Sequence, residues 1–143
     1  MDREAIAGAL ERTEYVLLTT FRRDGRPVAS PVWLARDGDR FVLVTGGGSG
    51  KVKRLRHTGR VLLAPCGPRG ARRGADVEAV GRVVALDDGL RAALLAKYSW
   101  RFRVAQAVEG LAGRRRPAAG EGVGVEVRLV APPDLHRDGP PGG

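Results

Sequence analysis

The sequence predicts a mainly β protein of the α+β class, an antiparallel barrel of six to seven strands with short covering helices. Short runs of β-branched and aromatic residues recur along the chain, Asp-Gly pairs separate the first of these runs, and helical spacing is confined to short segments. Because six or seven short strands in an open sheet would expose two edges, a small closed barrel is the expected arrangement.

Length and composition limit the architecture further. At 143 residues the chain is expected to form one domain, over residues 1–131, followed by a flexible tail rich in proline and glycine over residues 132–143. No stretch reaches the roughly 20 apolar residues of a membrane span, and the charged N-terminal segment lacks an apolar core. Cys66 is the lone cysteine and His57 and His136 are the only histidines, so neither a disulfide framework nor a metal site is expected. A soluble, cytoplasmic protein is therefore expected.

The first elements form a helix followed by strands. Asp2 is a candidate N-cap for a helix that ends near Arg12, with apolar residues at helical spacing. Residues 14–22 are rich in β-branched and aromatic side chains, which predicts a strand. The pair Asp24-Gly25 then predicts a tight hairpin turn into the next strand.

Residues 28–35 predict a second strand, and both of its faces carry largely uncharged side chains. This pattern indicates a strand in the interior of the sheet and not at its edge. The segment 36–39 contains another Asp-Gly pair, and residues 41–45 form a further apolar run. These features predict that the two strands form an antiparallel hairpin, so that the first three strands follow one another as a meander.

A glycine-rich turn, Gly46 to Gly50, leads directly into a basic helix over residues 51–58. Glycines allow close approach of a ligand to the backbone, and the first N–H groups of a helix attract anions. A basic run on a helix is usually just a solvated face, but the preceding glycine turn favours a site for a phosphate or another anion. The candidate donors are Lys51, Lys53, Arg54 and Arg56.

The rest of the chain predicts two more strands, a helical segment and a final strand. Pro65 suggests that the end of one strand lies outside a hydrogen-bonded ladder, and Gly81 allows a bend or bulge in another. Asp87 to Gly89 is expected to cap the helix that follows. The expected elements are a strand over 60–66, a basic loop over 67–74, a strand over 75–86, a helix over 90–100 that continues to about 111, a loop over 113–122 and a strand over 123–129.

The net charge of +9, with a pI near 11, suggests an anionic partner. The chain is, however, rich in arginine, glycine and alanine and has just three lysines, a bias that genome base composition also produces. No specific nucleic-acid partner is therefore predicted. Of the less specific signals, Trp33 fits a core residue as well as a ligand contact, Cys66 is expected to be an inert buried thiol, and His57 a surface residue.

Three segments carry a resemblance to a known family: T-T-F-R-R-D-G-R-P-V-A-S-P-V-W-L from Thr19, D-G-D-R-F-V-L-V-T from Asp37, and S-G-K-V-K-R-L-R from Ser49. They resemble the pyridoxamine 5'-phosphate oxidase-like superfamily, which has an FMN-binding-like split β-barrel. Within it, the chain is most similar to actinobacterial deazaflavin oxidoreductases that use coenzyme F420, and K-Y-S-W from Lys97 also resembles that group.

The resemblance implies a homodimer with cofactor sites between the subunits. It implies contacts to the tricyclic ring from Pro31, Val32, Trp33 and Leu34, to the ribityl or phosphate region from Val44 and Thr45, and to the phosphate from Gly50 and Lys51. Ser49 joins this cofactor-binding set, and Lys53 and Arg54 are the basic residues expected to meet an acidic tail. No catalytic residue is implied.

The resemblance also bears on cofactor choice. Flavin-using oxidases of the superfamily typically have an Arg-Lys pair where this chain has Gly50-Lys51, which makes FMN the alternative and coenzyme F420 the favoured cofactor. The implied function is hydride transfer between reduced F420 and a small organic substrate. An FMN-binding oxidoreductase of the same fold, or a non-catalytic module that binds a flavin-type cofactor or another polyanion, is the competing hypothesis.

Overall fold

The computed structural model of the protein describes residues 3–98 and 122–130. The predicted N-cap Asp2, the helix beyond residue 98, nearly all of the 113–122 loop, and the tail lie outside the described residues. The helices are α1 (Arg3–Arg12), α2 (Gly50–His57) and α3, which covers 88–98; the strands are β1 (Tyr15–Phe21), β2 (Pro27–Val32), β3 (Ala35–Asp37), β4 (Arg40–Gly46), β5 (Arg60–Cys66), β6 (Val77–Val84) and β7 (Gly122–Leu129).

The strands form one antiparallel sheet in the order β2-β1-β5-β6-β7-β4-β3. The seven strands and short helices of the described residues confirm the predicted fold class. The expectation of complete closure was wrong, because β2 and β3 are edge strands that do not pair with each other in the described part of the chain. The barrel is split along this line.

The sheet curls strongly enough to bring its two ends together. Only three peptide steps separate Val32, at the end of β2, from Ala35, at the start of β3, so these edges lie within about 11 Å of each other. One core cluster also draws on strands from both halves of the sheet: Val16 and Leu18 from β1, Leu43 from β4. Its buried members from the helices are Ala7, Leu10 and Leu55.

The prediction that residues 28–35 form one strand in the interior of the sheet was wrong. The segment is divided into β2 and β3, which lie at opposite edges of the sheet. The physical reason is that side chains of α3 satisfy the backbone of Leu34 between them. The Leu34 N–H donates to the Tyr98 hydroxyl at 2.9 Å, and the Leu34 carbonyl accepts from Lys97 Nζ at 2.5 Å. The expected three-strand meander is therefore two separate hairpins, β1–β2 and β3–β4.

Both Asp-Gly turns are confirmed. Gly25 and Gly38 have φ values of 89° and 66°, in the left-handed region that glycine adopts without strain. At Gly81, however, no bulge forms, because its pairing with both neighbouring strands stays in register. A Cβ there would lie 3.1 Å from Leu55 Cδ2, so the glycine gives α2 room to pack on the sheet. Pro65 lies opposite Val16 of β1 but beyond the end of the ladder between β5 and β6.

Helix α3 covers the outer face of β4. Asp87 caps it as predicted, since the Leu90 N–H donates to Asp87 Oδ1 at 2.7 Å. Leu90 and Leu94 pack against Val42 in a second core cluster. None of the described helices is long and apolar enough to cross a membrane.

The outer face of β7 contains a buried carboxylate that was not predicted from the sequence. Glu126 is 6% exposed and accepts hydrogen bonds from Arg82 on β6, Arg40 on β4 and Arg128 on β7. Arg40 in turn pairs with Asp87, ahead of α3. The hydrogen bond from Arg82 is the main reason that the pKa of Glu126 lies below its ordinary value, against the opposing effect of burial. One carboxylate thus joins three neighbouring strands.

Candidate functional site

The N-terminus of α2 is built by a polar turn at the end of β4. Ser49 is the N-cap, and its Oγ accepts a hydrogen bond from the Val52 N–H at 3.3 Å. The Ser49 N–H donates to the Gly46 carbonyl at 3.0 Å, and its hydroxyl lies 3.3 Å from Thr45 Oγ1. Thr45, Ser49 and Gly50, three of the predicted site residues, therefore lie together. The first turn of the helix contains no acidic residue that would oppose an anion.

The glycines of this turn act by their small size. Neither Gly48 nor Gly50 adopts a left-handed φ, so backbone freedom is not what the turn requires. A Cβ at Gly50 would lie 2.7 Å from Arg54 Nη1, and one at Gly48 would meet no atom within 4 Å. Gly50 therefore leaves the space in which the Arg54 guanidinium lies, beside the start of the helix.

Arg54 is held against the sheet from the other side. Its Nε donates to Thr20 Oγ1 of β1 at 2.6 Å, and Thr20 is 1% exposed. Burial, and secondarily the charge of Arg22, lowers the pKa of Arg54 from its ordinary value. The guanidinium is thus half-buried beside another cation, and a bound anion would relieve both costs.

Lys51 is half-buried in the first turn of α2. Burial is the main cause that lowers its pKa, and the charge of Arg54 adds to this. Lys53, by contrast, is exposed. The two lysines therefore differ in the strength with which each would attract an anion, because a partly desolvated ammonium is screened less by water.

An open cleft of about 670 Å³ lies between α2 and the turn that joins β1 to β2. Of the eight described residues that line it, five are lysine or arginine and none is acidic. The lining residues are Phe21, Arg22, Arg23, Gly50, Lys53, Arg54, Arg56 and His57. The helix side of this cleft was predicted from the sequence, but Arg22 and Arg23 were not; they were assigned to the end of the first strand and to the turn that follows it.

Most of the arginines elsewhere in the described chain are neutralised. The arginines paired with carboxylates are Arg26, Arg36, Arg40, Arg60, Arg72, Arg82 and Arg128. None of the five cations that line the cleft forms an ion pair with a described carboxylate. Positive charge is therefore concentrated in the cleft, and no carboxylate in the described part of the chain pairs with it.

The other predicted site residues lie away from this cleft. Trp33 stacks on Tyr98, with ring centroids 4.8 Å apart, and Val44 packs in the same cluster under α3. Leu34 is fully buried in the main core, and Val32 packs against that core from the edge strand β2. Pro31 lies opposite Leu17 in that strand pair. Within one chain, the structure does not bring these residues to the N-terminus of α2.

The basic loop over residues 67–74 is also separate from the cleft. Gly70 lies close to Leu17 and Pro31, and Arg72 pairs with Asp76. Cys66 is buried, and burial raises the pKa of its thiol, as expected of an unreactive cysteine. His57, expected on the surface, is exposed but lines the cleft.

The sequence profile of the pyridoxamine 5'-phosphate oxidase family matches residues 2–128. A search of curated protein sequences finds no significant match to the chain.

Solved structures with the same fold include proteins of different functions. An F420 reductase is 22% identical, with a TM-score of 0.54 over 87% of this chain and 92% of that one. A pyridoxamine 5'-phosphate oxidase-related, FMN-binding protein from Nostoc punctiforme is 16% identical, with a TM-score of 0.57 over 90% and 80%. The heme storage protein HutZ from Vibrio cholerae is 14% identical, with a TM-score of 0.60 over 91% of each chain. At these identities the likeness concerns the fold alone.

Proposed function

Because this chain belongs to the pyridoxamine 5'-phosphate oxidase family, we propose that it is an oxidoreductase that binds a flavin-type cofactor, with coenzyme F420 preferred to FMN. Its substrate is a small organic molecule. The bound cofactor supplies hydride-transfer chemistry, and the protein binds and orients it and its substrate. The alternatives are an FMN-dependent enzyme and a non-catalytic cofactor carrier.

The observation that carries this proposal is the uncompensated positive charge around α2. Coenzyme F420 has a phosphodiester and a tail of several carboxylates, whereas FMN ends in a single phosphate. The N-terminus of α2, together with Lys51, suits the phosphodiester. The cleft beyond it presents Arg22, Arg23 and Lys53, more cations than a terminal phosphate needs, and these suit the tail.

Residues on the strands are proposed to serve the ring end of the cofactor. Trp33 and Val44 are half-buried and lie on the outer side of the barrel, and Pro31 and Val32 lie on the edge strand β2. Thr45 lies nearer to Ser49 and would approach the region that joins ring and phosphate. Leu34 has no exposed surface, so it would support Trp33 from beneath and not contact the ring.

Parallel titrations with coenzyme F420 and FMN test the preference. In low salt we expect F420 to bind at least about tenfold more tightly, since exposed ion pairs to the tail are worth about 0 to 1 kcal/mol each. Raising the ionic strength should narrow the gap, because salt screens the tail more than the half-buried phosphate contact. Cofactor fluorescence gives both dissociation constants.

The control is FMN itself, whose affinity should change less with salt than that of F420. Equal affinities, or a preference for FMN at both ionic strengths, would contradict the proposal and assign the protein to FMN-dependent chemistry. Incubation with reduced F420 and candidate acceptors, followed by deazaflavin absorbance, separates an enzyme from a carrier. A carrier would bind F420 without oxidising it.

A homodimer is the second part of the proposal. The three described helices pack either in the main core or against the β4 side. On the outer face of β1 and β5, Leu17, Ala64 and Cys66 are buried, whereas the outer face of β6 and the start of β5 stays open. Val80 on this face is 52% exposed, and the side chain of Leu62 is half-buried. These apolar side chains lie beside the Arg60–Glu78 ion pair, and we propose that this mixed surface forms a symmetric contact with a second copy.

Light scattering at micromolar concentration is expected to give twice the mass of one chain. Val80→Lys should shift the protein towards monomer, because it would remove an apolar side chain from each copy and place two further like charges in a symmetric contact. A protein that is monomeric before any substitution would overturn the dimer. A Val80→Lys variant that remains dimeric would show that a different face is used.

A further inference from the structure

Thr20 is a buried polar residue inside the barrel whose hydroxyl has a specific partner. It is 1% exposed, and in β1 it shares the inner face with Val16 and Leu18 of the main core. Its Oγ1 accepts from Arg54 Nε at 2.6 Å and lies 3.5 Å from the Val28 carbonyl of the paired strand β2. The guanidinium is thereby attached to the sheet through one hydroxyl group.

Arg54 has little else to hold it there. It forms no ion pair with a described carboxylate, and the pKa of its guanidinium is lowered by burial and by Arg22. A free arginine side chain has many rotamers, and water would favour an extended, solvated one. The bond to Thr20, together with the space left by Gly50, keeps the guanidinium at the cleft wall beside the start of α2.

We propose that Thr20 is a positioning residue that fixes the Arg54 guanidinium in the anion-binding cleft before the ligand arrives. This inference rests on the proposed function, because the ligand it serves is the phosphate or acidic tail of the cofactor. Preorganisation of this kind improves affinity, since the entropy of ordering the arginine is lost on folding and not on binding. Nε is occupied by Thr20, so the two Nη groups remain to donate to an anion.

The neighbouring residue, Thr19, provides a matched control. It is 2% exposed and lies on the opposite face of the same strand, and its Oγ1 is buried without a hydrogen-bond partner. Thr→Val therefore removes a bonded hydroxyl at position 20 and an unbonded one at position 19, with the same change in shape.

The first experiment compares dissociation constants for coenzyme F420 in five variants, one of which carries two substitutions. Thr20→Val is expected to weaken binding about 5- to 20-fold, whereas Thr20→Ser and Thr19→Val should stay within about twofold of the natural protein. In an Arg54→Ala background, Thr20→Val should cause no further loss, because the two residues act as one unit. Unchanged binding in Thr20→Val, or an equal loss in both backgrounds, would overturn the positioning role.

A second measurement uses the free protein and needs no cofactor. The Arg54 Nε–H signal in a ¹H–¹⁵N spectrum, identified by its absence in Arg54→Lys, should exchange slowly with water in the natural protein and in Thr19→Val. Thr20→Val should speed this exchange severalfold, and an unchanged rate would overturn the inference. If neither F420 nor FMN binds the natural protein, the proposed function fails, and the exchange rate alone decides the role of Thr20.

Discussion

Replacing Glu126 by glutamine is expected to lower the free energy of unfolding by about 2 to 4 kcal/mol, because it leaves three arginines around a neutral amide. The carboxylate is buried among side chains of strands β4, β6 and β7, so water does not replace its hydrogen bonds to the arginines. Two of its partners, Arg82 and Arg128, are well exposed, which keeps the cost below that of a fully buried pair. Urea unfolding of the two proteins measures the difference.

Glu78→Gln is the matched control. Glu78 lies on β6 and pairs with Arg60 at 3.4 Å, but both side chains are more than half exposed, so we expect a change of about 0 to 1 kcal/mol. Equal losses in the two variants would show that the Glu126 cluster is no more than a set of surface ion pairs.

Acid should remove the contribution of Glu126. Its pKa in the folded protein lies below the ordinary value of 4.5, so the folded state binds fewer protons than the unfolded state in that range. The stabilisation is therefore present above about pH 4.5 and is lost as the pH falls through the lowered pKa. The difference between the natural protein and Glu126→Gln should shrink over the same interval, and a constant difference would contradict the assignment.

Lys51→Ala is expected to weaken binding of coenzyme F420 by about 1.5 to 3 kcal/mol, roughly 10- to 150-fold in the dissociation constant. Lys51 is half-buried at the start of α2, where burial lowers the pKa of its ammonium group. A charge-assisted hydrogen bond from such a group to a phosphate is screened little by solvent. Titration at fixed salt and pH 7 measures the loss.

Lys53→Ala separates this effect from a general loss of charge. Lys53 is exposed on the same helix, so Lys53→Ala should weaken binding of coenzyme F420 by about 1 kcal/mol or less. High salt should abolish this difference, because it screens exposed charges. The affinity of the natural protein should also fall as the pH rises through the lowered pKa of Lys51, because a neutral amine no longer attracts the anion. An unchanged affinity in Lys51→Ala would remove this residue from the phosphate site.

The local elements were predictable because their determinants are local. Asp24-Gly25 and the Asp-Gly pair at Gly38 specify tight turns through the left-handed φ of glycine, and Asp87 caps the helix three residues before Leu90. The position of residues 28–35 in the sheet was not predictable in this way. Apolar residues on both faces fit a central strand, but they fit equally well an edge strand that helix α3 covers.

The candidate site likewise has a part that was predictable from local sequence and a part that was not. The basic run of α2 and the glycine that precedes Lys51 are adjacent in sequence, and they were identified together. Arg22 and Arg23 contribute to the cleft from a turn nearly thirty residues earlier, and no local pattern distinguishes them from ordinary turn arginines. The hydrogen bond between Arg54 and Thr20 was equally unpredictable, because a threonine within a strand carries no sequence signal for a partner on a distant helix.

The sequence by itself determined the turns, the class of the fold and the basic helix that follows the glycine-rich turn. These follow from backbone preferences and from hydrophobic periodicity over a few residues. Tertiary structure alone decided which strands are edges, which arginines are neutralised, and which arginines around the cleft have no carboxylate partner among the described residues. Ion pairing and burial depend on side chains that the curl of the sheet brings together, such as Arg40 with Glu126 and Thr20 with Arg54.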